Sequence, residues 1–288
     1  MAVTYKKISF QGAPGAYSDA ACRAVFPGIE TVPCASFDEA FAALAEGSTD
    51  LAMIPVDNTI AGRVADVHRL MPKHEIFIIG EHFEPIHHHL LAPKGAKLAD
   101  LKYVHSHVHA LPQCSKLIKR LKLQSLVHAD TAGAARDIAA KNDKEHAAIA
   151  SKLSAEIYGL DIMESNIEDE DHNTTRFLVL SREQKIPPLN NENILTSLLF
   201  EVRNIPAALY KTIGGFATNG FSMTKLESYV DAKFQAARFY CEVEGHPENK
   251  LFKLALDEMR FYAKDVKFLG AYPAHSFRKT YAKDRKES

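Results

Sequence analysis

Four short polar clusters interrupt apolar runs in this sequence, and each carries groups that can hold or activate a small anion. Gly12-Ala13-Pro14-Gly15-Ala16-Tyr17-Ser18 follows the apolar stretch Lys7–Phe10. Glycines let the backbone approach a ligand, and a helix opening near Tyr17 presents free amides and a positive dipole end. The G-x-x-G spacing is neither a dinucleotide fingerprint nor a P-loop, so by itself it is equally a plain tight turn. Pro55-Val56-Asp57-Asn58-Thr59-Ile60-Ala61-Gly62 sets an acid, an amide and a hydroxyl in a row, although capping by Asn58 or Thr59 explains part of it. His105-Ser106-His107 with Gln113 and Cys114 is the third cluster. Asn173-Thr174-Thr175-Arg176-Phe177 is the fourth, with hydroxyls and a guanidinium before an apolar run. All four stand where strands run into loops or helices, the ligand-facing edge of an open α/β sheet. The chemistry alone points to a cleft for a small polar anion.

The elements that position these clusters alternate short apolar runs with helical patterns over the first 182 residues, the mark of βα units. Lys7–Phe10 reads as a strand. Ser36 and Glu39 have the spacing of a capping box, and Phe37, Ala40, Phe41 and Leu44 form one face of the helix that follows. Leu51–Ile54 reads as a buried strand stopping at Pro55. Ile76–Ile79 and His89–Ala92 read as connections between two lobes. Tyr103–Ser106, Ser125–Val127 and Ala147–Ala150 are strands of the second lobe, with a helix opened by Asp130-Thr131, and Phe177–Leu180 returns to the first lobe. Pro187-Pro188 and Asn190-Asn191 then forbid regular structure. Beyond them the order is βαββαβ, a ferredoxin-like pattern, with Pro206 at the start of its first helix. The expected organisation is a two-lobed α/β catalytic domain over 1–184, a linker over 185–193, a small domain over 194–279 and a basic tail over 280–288.

Lys plus Arg number 35 and Asp plus Glu 36, which leaves no basic excess for a nucleic-acid surface. No apolar run reaches the ~20 residues of a membrane span, and the N-terminus lacks a signal-peptide pattern. Four scattered cysteines, Cys22, Cys34, Cys114 and Cys241, fit reduced thiols of a cytoplasmic protein better than a disulfide framework.

In order and spacing, the clusters resemble the prephenate dehydratase family from Ile8 to Phe277. Gly12–Ser18 is similar to its G-x-x-G-x-Y-S segment, and Ile54–Gly62 to its V-P-x-E-N-S-x-x-G segment, with Asp57 for Glu and Thr59 for Ser. Ser106–Cys114 resembles its S-H-P…Q-C segment, with Val108 at the usual proline. Asp130-Thr131-Ala132 and the Thr175-Arg176-Phe177 signature match the remaining two. The resemblance implies a two-lobed, periplasmic-binding-protein-like catalytic domain and a cofactor-free, metal-free loss of water and carbon dioxide from prephenate. It makes Thr175 the donor to the departing hydroxyl, with Asn58, Ser106 and Gln113 as further catalytic residues. Ala16, Tyr17, Ser18, Asp57, Thr59, Gly62, Thr131, Arg176 and Phe177 are implied to bind substrate. The C-terminal pattern resembles an ACT domain, which implies L-phenylalanine as effector near Leu209, Asn219, Gly220, Ser222, Glu227 and Ser228. It also implies homodimers or homotetramers paired through that domain. Ala207 replaces the family's first Gly, and Tyr229-Val230 its Arg-Pro pair, which bears on the strength and sign of that regulation.

Three other readings compete. A two-lobed anion sensor without catalysis explains a cleft but not the Thr-Arg-Phe signature, and arogenate dehydratase shares the chemistry on an aminated substrate. A metalloenzyme reading of His87-His88-His89 and His105, His107 and His109 lacks an accompanying Cys or carboxylate cluster.

Overall fold

The computed structural model describes residues 5–64, 67–230 and 236–279, so the expected basic tail 280–288 lies outside the described residues. These residues fall into two compact units, one within Met1–Asp66 and His82–Phe177, the other within Val67–Glu81 and Leu178–Ser288. The proline-containing stretch 185–193 lies within the second range.

In the first unit β1 (Lys7–Gln11), α1 (Tyr17–Val25), β2 (Glu30–Cys34), α2 (Phe37–Ala45) and β3 (Leu51–Asn58) follow as βα units, and β4 (Gly62–Arg63) folds back on β3. α3 (Val67–Leu70) and the first half of β5 (Phe77–Pro85) fall in the range of the second unit. A second set follows: β6 (His89–Ala92), β7 (Tyr103–His107), α4 (Ser115–Arg120), β8 (Gln124–His128), α5 (Thr131–Lys141), β9 (His146–Ala150), α6 (Lys152–Tyr158) and β10 (Asp161–Glu164). β11 (Thr174–Ser181) then returns to the first sheet. The strand orders are β2-β1-β3-β11-β5 and β10-β6-β9-β7-β8, so each set makes its own sheet and its own lobe. Parallel pairing of β1 with β2 and β3, and of β7 with β8 and β9, follows from the helical crossovers between them. Ile8, Phe10, Leu51 and Met53 are fully buried in the first lobe, and Val104, Ala147 and Ile149 in the second.

The lobes meet at the glycine loop. Gly15 O accepts from Ser151 Oγ at 2.5 Å and Ser154 Oγ at 2.9 Å, and Tyr158 Oη donates to Pro14 O at 2.7 Å. A Cβ on Gly15 would stand 2.9 Å from Ser154 Cα, so no side chain fits beneath α6. The glycine serves this close approach as well as its positive φ of 89°.

In the second unit β12 (Ile194–Val202), α7 (Ala208–Thr218), β13 (Met223–Val230), β14 (Ala236–Glu244), α8 (Lys250–Tyr262) and β15 (Ala263–Pro273) give the expected βαββαβ order. The sheet runs β13-β14-β12-β15, antiparallel throughout. Leu198, Phe200, Phe239 and Cys241 pack against Phe216, Phe252, Ala255 and Met259 of the helices. Two buried carboxylates, Glu81 and Glu242, share Arg278: its guanidinium is bidentate to Glu81 at 2.7 and 2.8 Å and reaches Glu242 at 3.1 Å. Lys267 Nζ donates to Met71 O and His74 O.

Several expectations need adjustment. β3 runs through Pro55 to Asn58 rather than stopping at it. Its pairing with β1 ends at Met53, so the missing amide breaks no ladder bond on that side. Ser36 Oγ accepts from Glu39 N, but Glu39 reaches back to Ala35 N, one residue beyond a true capping box. Pro206 stands before Ala207, the left-handed N-cap of α7, and not inside the helix. β2 and β10 escape the apolar pattern because each is an edge strand, and β2 carries Pro33.

Gly270 tests the second unit. An added Cβ there would lie 2.0 Å from Ile78 O, a backbone atom that cannot swing aside, whereas nothing lies within 4 Å of one at Gly28. In urea unfolding Gly270→Ala should lose at least ~3 kcal/mol, against about 1 kcal/mol for Gly28→Ala. Equal losses would show that the packing of β15 against residue 78 is wrong.

Candidate active site

A cavity of about 250 Å³ opens between the two lobes of the first unit. Of the residues expected from sequence, Ala16, Tyr17, Ser18, Asn58, Gln113, Thr131, Thr175 and Phe177 line it. Asp57, Thr59, Gly62, Ser106 and Arg176 do not. Strand alternation accounts for the pair that carries charge: Thr175 and Phe177 face the cavity from β11, so Arg176 between them faces away. Its Nη1 lies 3.5 Å from Asp57 Oδ2, and its guanidinium stands 6.0 Å from the Phe83 ring centre. Ser106 is fully buried in β7 and donates to Ile149 O at 2.7 Å, while its neighbour His107 lines the cavity. Thr59 donates to His172 O and accepts from Thr174 N, tying the loop after β3 to the start of β11.

The centre of the site is a run of amides whose orientations can be read one from the next. Asn58 Oδ1 accepts from Ile60 N at 2.9 Å and from Ala61 N at 2.7 Å. Backbone N–H groups only donate, so this oxygen is assigned and Nδ2 must be the donor on the other side. That nitrogen reaches Asn173 Oδ1 at 2.8 Å and Thr175 Oγ1 at 2.9 Å. Thr175 Oγ1 is therefore an acceptor from Asn58, which leaves its own proton for another partner. No protein acceptor takes that proton among the described residues, and the hydroxyl lies on the cavity wall.

Helix ends complete the wall. α2, α5 and α6 are capped by Ser36, Asp130 and Ser151, each accepting from a first-turn amide. α1 begins instead after Ala16, which has no side chain to cap with. Its first amides, at the cavity-lining Tyr17 and Ser18, remain open to an anion. Among the described residues no Lys or Arg lines the cavity. Its basic side chains are His88, His107 and His109, and its carboxylate, Asp130, is engaged with Gly133 N at 2.7 Å. Burial pushes the Tyr17 phenol well above its usual range, helped by Cys114 and Glu168, so it stays protonated. Burial pushes His88 and His107 down.

His107 and Asn173 stand in the third and fourth polar clusters without an expected role, and His88 in a histidine run; all three line the cavity. His88 lies in the link between β5 and β6, where both it and His89 are buried, so no strand alternation marks it out. Among the described residues no group of three or more His, Cys, Asp or Glu is arranged to hold a metal ion. His87 pairs with Glu168, while His105 bonds to His146 at 2.7 Å. In the second unit Leu209 packs on the core from α7, and Asn219 folds back onto Gly215 O. Gly220 follows that helix at φ 78°, Ser222 precedes β13, and Glu227 and Ser228 lie on it. Tyr229 donates to Glu227.

Residues 8–185 match the family model described as prephenate dehydratase. The chain is 46% identical over 273 residues to a bifunctional N-acyl-homoserine lactone acylase/prephenate dehydratase of Komagataeibacter europaeus, covering 94% of this chain and 97% of that one. It is 36% identical over 282 residues to arogenate dehydratase/prephenate dehydratase 1 of Arabidopsis thaliana, covering 93% and 72%. The solved prephenate dehydratase of Arthrobacter aurescens in complex with L-Phe superposes with a TM-score of 0.85 at 24% identity, over 97% and 98% of the two chains.

The placement of Ser106 separates it from the cavity groups. Ser106→Ala removes one buried hydrogen bond and should cost about 1 kcal/mol of stability, with KM for the substrate unchanged. A rise in KM without loss of stability would put Ser106 at the substrate instead.

Proposed function

Because the chain belongs to the prephenate dehydratase family of decarboxylating lyases, we propose that its cavity converts prephenate to phenylpyruvate, water and carbon dioxide. The observation that carries this reading is the Thr175 hydroxyl on the cavity wall, held by Asn58 as an acceptor so that its proton is left for a ligand. In the reaction the ring carbon–oxygen bond breaks and the hydroxyl leaves with its electron pair. The bond to the ring carboxylate releases carbon dioxide, and its electrons close the aromatic ring. The departing hydroxide takes up a proton supplied by the solvent and becomes water, so the dianion and one proton give the phenylpyruvate anion, water and carbon dioxide. Aromatisation supplies the driving force, so the protein must hold the dianion and stabilise negative charge growing on one oxygen. A threonine hydroxyl is too weak an acid to transfer its proton early. It acts through a hydrogen bond that strengthens as that charge develops, which favours the transition state over the ground state. The open amides of α1 and the histidines His107 and His109 receive the carboxylates.

Prephenate is favoured over arogenate by the state of Asp130. Arogenate carries an ammonium where prephenate carries a ketone, and an ammonium calls for an unengaged carboxylate. The acid lining the cavity, Asp130, already gives Oδ1 to the cap of α5, which leaves only Oδ2 for such an ammonium. The relative from Komagataeibacter europaeus is also named as an acylase. Amide hydrolysis needs an activated nucleophile, and no Ser, Thr or Cys of the cavity is hydrogen-bonded to a histidine among the described residues. Elimination is the reading that the geometry supports.

We also propose that the βαββαβ unit is an ACT domain that binds L-phenylalanine near Leu209, Asn219, Gly220, Ser222, Glu227 and Ser228, between paired chains. If phenylalanine inhibits by favouring a less active state, substrate must in turn weaken phenylalanine binding.

Purified protein should form phenylpyruvate from prephenate much faster than phenylalanine from arogenate; the reverse preference would overturn the substrate assignment. Thr175→Ala should lower kcat by about 10²- to 10⁴-fold, with Thr175→Ser retaining most of the rate. Near-normal turnover of a folded Thr175→Ala protein would remove Thr175 from its role. Calorimetry should show heat on adding phenylalanine, reduced when a substrate analogue is present. No heat at millimolar phenylalanine, with unchanged kinetics, would leave the second unit as an assembly element alone.

A further inference from the structure

The chain of assigned amides does not end at Asn173. Its Oδ1 accepts from Asn58, so its Nδ2 is the donor to Gln113 Oε1 at 2.9 Å. Gln113 Oε1 also lies 2.9 Å from His88 Nε2, and an amide oxygen can only accept. His88 therefore carries its proton on Nε2. Burial disfavours the charged ring, so the neutral His88 presents a bare Nδ1, which lies 2.7 Å from Tyr17 Oη. Tyr17 has one proton for two acceptors, His88 Nδ1 and the carbonyl His87 O at 2.9 Å, and shares it between them. The direction of every hydrogen bond from Ile60 and Ala61 to His88 Nε2 is thus set, across both lobes. Backbone contacts hold the members in place: Ile86 N donates to Asn173 O, Asp169 N to Gln113 O, and His88 N to Glu168 Oε2.

One consequence falls on Gln113. With its oxygen taken by Asn173 and His88, the two N–H bonds of its amide have no protein acceptor among the described residues, and Gln113 lines the cavity. We infer that His88 is a positioning residue, which as its Nε2–H tautomer orients the Gln113 amide so that its NH₂ group faces a substrate carboxylate. Were the proton on Nδ1 alone, two lone pairs would meet between His88 and Gln113. Turning the Gln113 amide would relieve this only by setting its NH₂ against that of Asn173, which Asn58 prevents from turning. The inference rests on the dehydratase reading for the identity of the anion, but not for the direction of the bonds.

Two measurements decide it. In ¹⁵N–¹H long-range correlation spectra of the uniformly labelled full chain, His88 should show the Nε2–H pattern; the Nδ1–H pattern would overturn the inference whatever the substrate is. For the second, the rates of His88→Leu, Gln113→Ala and the double variant on prephenate are compared with wild type. His88→Leu should lower kcat/KM by up to about 10²-fold. Because it acts through Gln113, the double variant should be no slower than Gln113→Ala within a factor of about two. Losses that multiply would show that His88 acts independently of Gln113 and overturn its positioning role. His88→Gln, whose amide can again donate to Gln113 Oε1, should recover part of the rate, and a rate no better than that of His88→Leu would also count against it. A wild-type protein inert towards prephenate would sink the functional reading alone, leaving the tautomer to the spectrum.

Discussion

The two short hydrogen bonds from Ile60 N and Ala61 N to Asn58 Oδ1 constrain everything else in the site. An asparagine or glutamine amide can usually be turned over at little cost, so a cluster of three would admit several patterns of donors and acceptors. Backbone N–H groups cannot be reversed. By capturing one oxygen they convert a symmetric set of amides into a directed one, and the direction passes to Asn173, Gln113 and His88. What reaches the cavity at the ends of this set is a hydroxyl proton and an NH₂ group. A half-satisfied buried network would be worse than an apolar wall; here the amides hold one another, and the free valences lie on the cavity wall.

On the proposed reading, this is how a cavity that no lysine or arginine lines among the described residues would serve a dianion. Full charges would bind substrate and transition state alike. Fixed dipoles aimed at a departing oxygen would favour the state in which its charge grows. The guanidinium of the signature segment is used elsewhere, beside Asp57 and Phe83. The contacts of Ser151 and Ser154 with the glycine loop bring α6 of one lobe against the other. They hold the wall bearing Tyr17 and Ser18 opposite the wall bearing His107 and Thr131.

Much of this was legible in the sequence, unevenly. The βα order, the two lobes and the βαββαβ unit follow from apolar periodicity and the proline pairs, because burial repeats with the geometry of each element. Edge strands such as β2, half-exposed and containing Pro33, leave no such trace. The four clusters identified where the cavity would be, but not which side chains enter it. That choice depends on strand alternation counted from a register that sequence alone does not supply. Hence Thr175 faces the cavity and Arg176 does not, and His107 lines it where Ser106 lies buried. The direction of the amide network was wholly hidden, since it depends on two backbone amides meeting one side-chain oxygen.

Asn58→Asp tests this account most directly. The carboxylate can still accept from Ile60 and Ala61, and its shape is preserved, but its second oxygen replaces a donor with an acceptor. Thr175 should then give its proton to residue 58, and turnover of prephenate should fall by about 10²- to 10³-fold with unfolding in urea little changed. A folded Asn58→Asp protein that forms phenylpyruvate at close to the wild-type rate would show that the direction of these hydrogen bonds has no part in the elimination.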